Sequence, residues 1–113
     1  MTKIRVLASL CALALGIVTP AQASEAVGTV AVLAVRSADG LHYVVVNGSR
    51  SVKPACATYE YFMITDEHSD AGKAQLAMLL SAYMSGKVVH VSGSGICGRW
   101  GDGEDIMMVT LAN

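Results

Sequence analysis

The stretch Ser69–Gly86, SDAGKAQLAMLLSAYMSG, is the one segment of this chain with a convincing helical pattern, and strand-like runs lie on both sides of it. Leu76, Leu79, Leu80 and Tyr83 recur at i, i+3, i+4 and i+7, the spacing of an apolar helix face. Ser69 or Asp70 can accept from an unpaired N–H of the first turn. Gly86 stands where a left-handed residue ends a helix, and Lys87 follows at the negative end of the dipole. One helix between three strands and two leaves few topologies open.

The other face of this helix carries Asp70, Ala74, Ala77, Met78, Ser81 and Ser85, and Asp70 and Lys73 are the only charges between Ser69 and Ser85. A solvated face normally holds several Lys and Glu, whereas small neutral side chains let another backbone approach. Two readings stand: an Ala-rich helix with a neutral outer side, or a subunit interface made of Ala74, Ala77, Met78, Ser81 and Ser85.

Residues 1–23 read as an export leader rather than as part of the fold. Lys3 and Arg5 form a positive start, Val6–Val18 is apolar, and Ala21-Gln22-Ala23 is a small-x-small cleavage site before Ser24. The apolar run of roughly 13 residues is shorter than the roughly 20 that a bilayer-spanning helix needs. Cys11 lies inside that run after Leu10, which is not a lipoprotein pattern. The expected mature chain, 24–113, is a single domain in the periplasm or outside the cell. Losing Lys3 and Arg5 leaves six basic residues against nine acidic ones, a net charge of about −3. This balance argues against a nucleic-acid surface, which needs clustered Lys and Arg.

Cys56 and Cys97 remain after the leader, and an even pair in an exported domain predicts a disulfide. Closing a loop of about 42 residues contributes roughly 4 kcal/mol in the chain-entropy treatment. Two thiols without CxxC spacing, and His residues scattered at 42, 68 and 90, predict no metal site. No cofactor motif is present.

Strands are expected at Val27–Arg36, Leu41–Val46 and Cys56–Ile64 before the helix, and at Lys87–Ser92 and Asp105–Leu111 after it. Ala38-Asp39-Gly40 makes the first turn, Asn47-Gly48-Ser49 the second break, and Gly93–Glu104 a long glycine-rich loop. Val44 and Val46 share one side of the second strand and Tyr43 the other; Phe62 and Ile64 lie opposite Tyr59, Tyr61 and Met63 on the third. Met107, Val109 and Leu111 form the more apolar side of the fifth. The order β-β-β-α-β-β is that of an OB-fold, a five-stranded Greek-key barrel. There the third and fifth strands run parallel side by side, so Cys56 and Cys97 meet at their starting ends. The alternative is an open α+β sheet with the helix on one face.

A catalytic constellation is missing from the pattern. None of the serines sits in a nucleophile elbow, and no His has a recognisable partner spacing. Asp102, Glu104 and Asp105 cluster without the alternation of a calcium loop and read as a solvated turn. The expectation is a non-catalytic protein. The 4–5 loop is the candidate recognition element, with Arg99, Trp100, Asp102 and Glu104 as candidate ligand-binding residues. Trp100 either stacks on a sugar face or folds over the end of the barrel against the disulfide.

The segment GKAQLAMLLSAYMSGKVVHVSGSGIC, a helix followed by Gly-Lys, a Val-rich strand and Gly-x-Cys, resembles the binding subunits of AB5 bacterial toxins, those of subtilase cytotoxin and pertussis toxin in particular. The likeness is one of pattern over residues 72–111. It implies a ring of five subunits with central helices and glycan binding without catalysis, and it transfers no individual binding residue. The pattern equally resembles small exported proteins of unknown role. Two function classes follow: an oligomeric binding module for a carbohydrate or protein, and a periplasmic structural or inhibitor-like domain meeting a protein partner.

Overall fold

The computed structural model describes Gly16 and residues 22–113; the leader expected over 1–23 lies almost wholly outside the described residues. The elements are β1 (Glu25–Val35), β2 (His42–Arg50), β3 (Phe62–Met63), α1 (Asp70–Ser85), β4 (Val88–Gly93) and β5 (Glu104–Thr110). The fold is mainly β with one helix, in the expected order. Its strands pair as β1-β2-β3-β5-β4, and β4 returns to β1, so the mixed sheet closes into a ring. The β3–β5 pair is parallel, with Phe62 opposite Glu104 and Met63 opposite Asp105, and the other pairs are antiparallel. An open sheet would leave two free edges; here every strand has a neighbour on both sides.

The parallel pair brings two loops together at its starting end, and the Cys56–Cys97 disulfide forms there with the Cα atoms 6.1 Å apart. Inside the ring, Val44, Phe62, Ile64, Val89 and Val91 are essentially inaccessible to water, and Leu79 and Ala82 of α1 close one end over them. Ser69 caps the helix by accepting from the Gly72 N–H, and Gly86 ends it at φ 67°. Among the described residues, no helix is long and apolar enough to cross a membrane.

Several expectations are corrected. The helix buries Gly72, Leu79 and Ala82, with Leu76 and Met78 packed partly against the core. Leu80 and Tyr83 are half exposed, and Met78, expected on the outer face, is turned inward. A Tyr ring in the centre of the buried stripe would hold the helix away from the ring, whereas Gly72 and Ala82 let it sit close. On β5, Met107 is outside and Ile106 inside, because Met107 is an extra residue: Ser92 pairs with Met108 and Gly93 with Ile106. Such a bulge shifts the alternation by one position. Ala31 is the corresponding extra residue of β1, between Val30 opposite Val46 and Val32 opposite Val45.

The break expected at Asn47-Gly48-Ser49 is continuous strand. Gly48 pairs with Gly28, and a Cβ on Gly48 would lie 2.1 Å from the Val27 carbonyl oxygen. The glycines mark close backbone approach within the ladder, not a turn. The expected third strand, Cys56–Ile64, shrinks to Phe62–Met63, because Cys56 is tied to Cys97 and the Tyr59 N–H donates to the Asp102 carbonyl at 3.3 Å. Contacts between loops replace the ladder in that segment.

Candidate ligand-binding face

With Val44 and Phe62 committed to the core, the pleat sends Tyr43 and Tyr61 to the outside of adjacent strands. Their ring centroids are 5.4 Å apart and tilted by 50°. Tyr59 stacks on Tyr61 at 5.4 Å with only 8° between the planes, and it is 58 % exposed. These separations suit the quadrupoles of aromatic rings. The three tyrosines form a shelf across β2 and the segment entering β3.

The loops at either side complete the shelf. A tight turn, with the Gly103 N–H donating to the Trp100 carbonyl at 3.2 Å, presents Trp100, Gly101 and Asp102 around a shallow depression of about 300 Å³. The Arg36 guanidinium, from the loop between β1 and β2, lies 3.8 Å from the Trp100 ring centroid, a cation–π contact. Arg36 is itself held by both carboxylate oxygens of Asp39, at 3.0 and 2.5 Å. This pairing holds the Asp39 carboxyl down at about 2, with the Leu41 N–H assisting and desolvation opposing.

Tyr61 is the pivot of the face. Its hydroxyl donates to Asp102, and its ring lies directly over Gly103, where a Cβ would come within 2.5 Å of ring carbon Cε2. Burial first, and the Asp102 carboxylate second, push the Tyr61 phenol up from 10.0 to about 12. A raised folded-state pKa means that this contribution to stability is fully present below pH 10.0 and is lost as pH rises through about 12. A tyrosinate absorbance titration of the native protein is therefore expected to show one step near pH 12, moved lower by Asp102→Asn. If no phenol titrates so late, the Tyr61–Asp102 bond is not made in solution.

The structure brings together two of the four expected ligand-binding residues, Trp100 and Asp102. Trp100 is 40 % exposed, so one side of its ring stays open to solvent. Arg99 is taken up by neighbouring loops: it pairs with Glu67 at 2.8 Å and donates to the Thr65 and Asp39 carbonyls at 3.2 and 3.4 Å. Glu67 also accepts from the His42 N–H at 2.7 Å. Burial raises the Glu67 carboxyl, but the His42 N–H and Arg99 outweigh it and the net displacement is downward. Arg99 is thus a brace between loops.

Glu104, expected on the surface, has no exposure at all; it accepts from Ser24, Gly95 and Arg50. Asp105 is buried too, accepting from the Gly98 and Arg99 N–H groups at 3.1 and 3.0 Å. The supposed solvated acidic turn is instead a pair of carboxylates that organise the loop, since a glycine-rich backbone leaves many N–H groups needing acceptors.

Sequence reasoning missed Arg36, Tyr43, Tyr59 and Tyr61 as site residues. Part of their signal was available, because the alternation put Tyr43 opposite Val44 and Val46 and put Tyr59 and Tyr61 together opposite Phe62 and Ile64, although Met63, expected beside those two, is buried. Among the described residues, no group of three or more His, Cys, Asp or Glu side chains could hold a metal. On α1, Ala74, Ala77, Ser81 and Ser85 are exposed, joined by the half-exposed Leu80 and Tyr83 and the strongly exposed Met84. No protein-family model, curated protein or solved structure matches the chain.

Proposed function

We propose that this chain is a non-catalytic binding module acting outside the cytoplasm, and that it takes a carbohydrate on the shelf of Tyr43, Tyr59, Tyr61 and Trp100. The observation that carries this reading is three contiguous tyrosine rings, with Asp102 bonded to Tyr61 and Trp100 against the Arg36 guanidinium at their margin. A sugar offers apolar C–H faces that stack on aromatic rings and hydroxyls that bond charged groups. In the finer reading the closed ring is an OB-fold Greek-key barrel. In that fold the face of the second and third strands, flanked by the 1–2 and 4–5 loops, binds oligosaccharides and oligonucleotides. The aromatic shelf occupies the same position, and the net charge of about −3 expected after loss of Lys3 and Arg5 disfavours the nucleic acid.

A glycan array probed with the oxidised protein is the test. Binding is expected, with Tyr59→Ala weakening it about tenfold, the effect of losing roughly 1.4 kcal/mol of stacking. Tyr59 is exposed, so the fold should keep its melting temperature. An array without hits would overturn the carbohydrate reading.

The second reading, a periplasmic structural or inhibitor-like domain that meets a protein, is favoured by the apolar patch of Leu80, Tyr83 and Met84 on α1. The resemblance to toxin binding subunits would use the same helix to join copies of the chain into a ring. Sedimentation is expected to report an oligomer at micromolar concentration, dispersed by Ala77→Glu. A monomeric wild type, or an assembly unchanged by Ala77→Glu, would remove this interface.

A further inference from the structure

Ser24 is the residue expected to follow the export cleavage site, and it is completely buried. Gln22 and Ala23, immediately before it, are exposed. Every polar atom of Ser24 is engaged. Its N–H donates to Glu104 Oε2 at 3.0 Å, and its hydroxyl donates to Glu104 Oε1. The same hydroxyl accepts from Arg50 Nε at 3.1 Å, and the Ser24 carbonyl accepts from the Gly93 N–H at 2.8 Å.

The receptor for Ser24 is built into the ring. Glu104 opens β5, and room for its carboxylate exists because Gly93 has no side chain: a Cβ there would lie 2.0 Å from Oε2. The two carboxylate oxygens are not equivalent. Oε1 faces the cationic Arg50 guanidinium at 3.2 Å. Among the described residues, Oε2 receives only neutral donors, the backbone N–H groups of Ser24 and of Gly95 at 3.0 and 2.8 Å. A carboxylate without exposure is best compensated when both oxygens meet charge-assisted donors.

We propose that export cleavage between Ala23 and Ser24 creates the missing cation, and that the new Ser24 α-ammonium docks on Glu104 Oε2 as a buried ion pair of the mature fold. The cut breaks the C–N bond of the Ala23–Ser24 peptide. Water supplies the hydroxyl that makes the Ala23 carboxylic acid and a proton to the Ser24 nitrogen; the acid then releases its proton to solvent as a carboxylate, and the amine takes one up as an ammonium. An α-amine has an ordinary pKa of about 7.7–8.0, so it is largely cationic at neutral pH and below. The protease is the leader peptidase of an exporting cell, which needs an extended substrate. Because Ser24 is buried and bonded in the folded chain, the cut precedes its docking. Processing and folding are thereby ordered: the uncleaved chain can place an amide against Oε2, and only the processed chain can place a charge there. This inference depends on the leader, not on the ligand of the aromatic face.

The test uses the full chain with its own leader, expressed in an exporting bacterium and isolated as the processed protein. Its intact mass and first residue are expected to show a start at Ser24, and any other start overturns the proposal. Brief labelling with an amine-reactive ester at neutral pH is expected to modify lysine side chains while sparing the α-amine until denaturant is added. This reverses the usual order, since the α-amine is ordinarily the more reactive group at that pH. An α-amine that labels in the native state as fast as in denaturant would overturn the docking. In a further variant one valine is inserted between Ala23 and Ser24, which restores the amide at Ser24 and moves the charge out. Its melting temperature is expected to fall by several degrees, and the difference to vanish in a Glu104→Gln background. An unchanged melting temperature would refute the ion pair, and if Glu104→Gln does not fold the labelling result decides alone.

Discussion

Glu104→Ala is expected to lower the free energy of unfolding by about 3–5 kcal/mol, the usual cost of removing one partner from a buried ion pair. The magnitude follows from what is stranded. Arg50, 9 % exposed along its side chain, keeps the Glu60 carbonyl at 2.6 Å, the exposed Glu60 carboxylate at 3.6 Å and its stacking over Phe62 at 4.0 Å, but loses its buried carboxylate at 3.2 Å. The N–H groups of Ser24 and Gly95 lose their acceptor at the same time. Each buried donor left unpaired costs roughly 1–3 kcal/mol, so hydrophobic gain at Ala cannot offset the loss. Glu104→Gln keeps the shape and one carbonyl acceptor and should be milder. Urea unfolding of the oxidised protein measures both. A loss under about 1 kcal/mol for Glu104→Ala would mean that water reaches Arg50 through the depression formed by Arg50, Val52, Lys53 and Glu60.

Reducing the Cys56–Cys97 bond, or replacing both residues with serine, is expected to remove roughly 4 kcal/mol and lower the melting temperature by about 15–30 °C. Two independent reasons make the effect large. The bond spans a sequence separation of 41, so its loss frees a long loop in the unfolded chain. The β3 strand it anchors has only two residues, Phe62 and Met63, and these are the link between β2 and β5 that closes the ring. The same bond joins the loops that carry Tyr59 and Trp100, so the reduced protein should also lose the carbohydrate binding proposed above. A melting curve with and without reductant is the measurement. A shift of only a few degrees would show that the Tyr59–Asp102 backbone bond and the aromatic stack hold the loops unaided.

Local signals were legible wherever one residue type answers one local demand. Ser69 and Gly86 bound the helix because a terminal N–H needs an acceptor and a left-handed terminus suits glycine. Val89 and Val91 face the core with His90 between them, as alternation requires. The signals failed where another part of the chain supplied the deciding contact. Asn47-Gly48 has the composition of a turn, yet Gly28 opposite makes it a close-packed ladder position. Alternation across Met107 broke at a bulge, which needs a partner strand to exist. The amphipathic stripe of α1 was misplaced because Ala and Ser on the far side give little contrast to orient it.

The candidate site divides along the same line. Trp100 and Asp102 stood out by type, as a ring and a carboxylate in a glycine-rich loop. Arg99 and Glu104 looked identical to them in sequence, but Glu67 and Arg50, distant in the chain, claimed both. Tyr43, Tyr59 and Tyr61 became a surface only when β2 and β3 paired.

From its sequence alone, this chain determined the element order, the helix ends and the pairing of Cys56 with Cys97, since each rests on chain geometry or on the few cysteines present. Only the tertiary structure decided which polar residues are buried and which aromatic rings share a face. Burial of a carboxylate and contact between rings are properties of segments tens of residues apart, and no local pattern encodes which of several chemically equal side chains meets its partner.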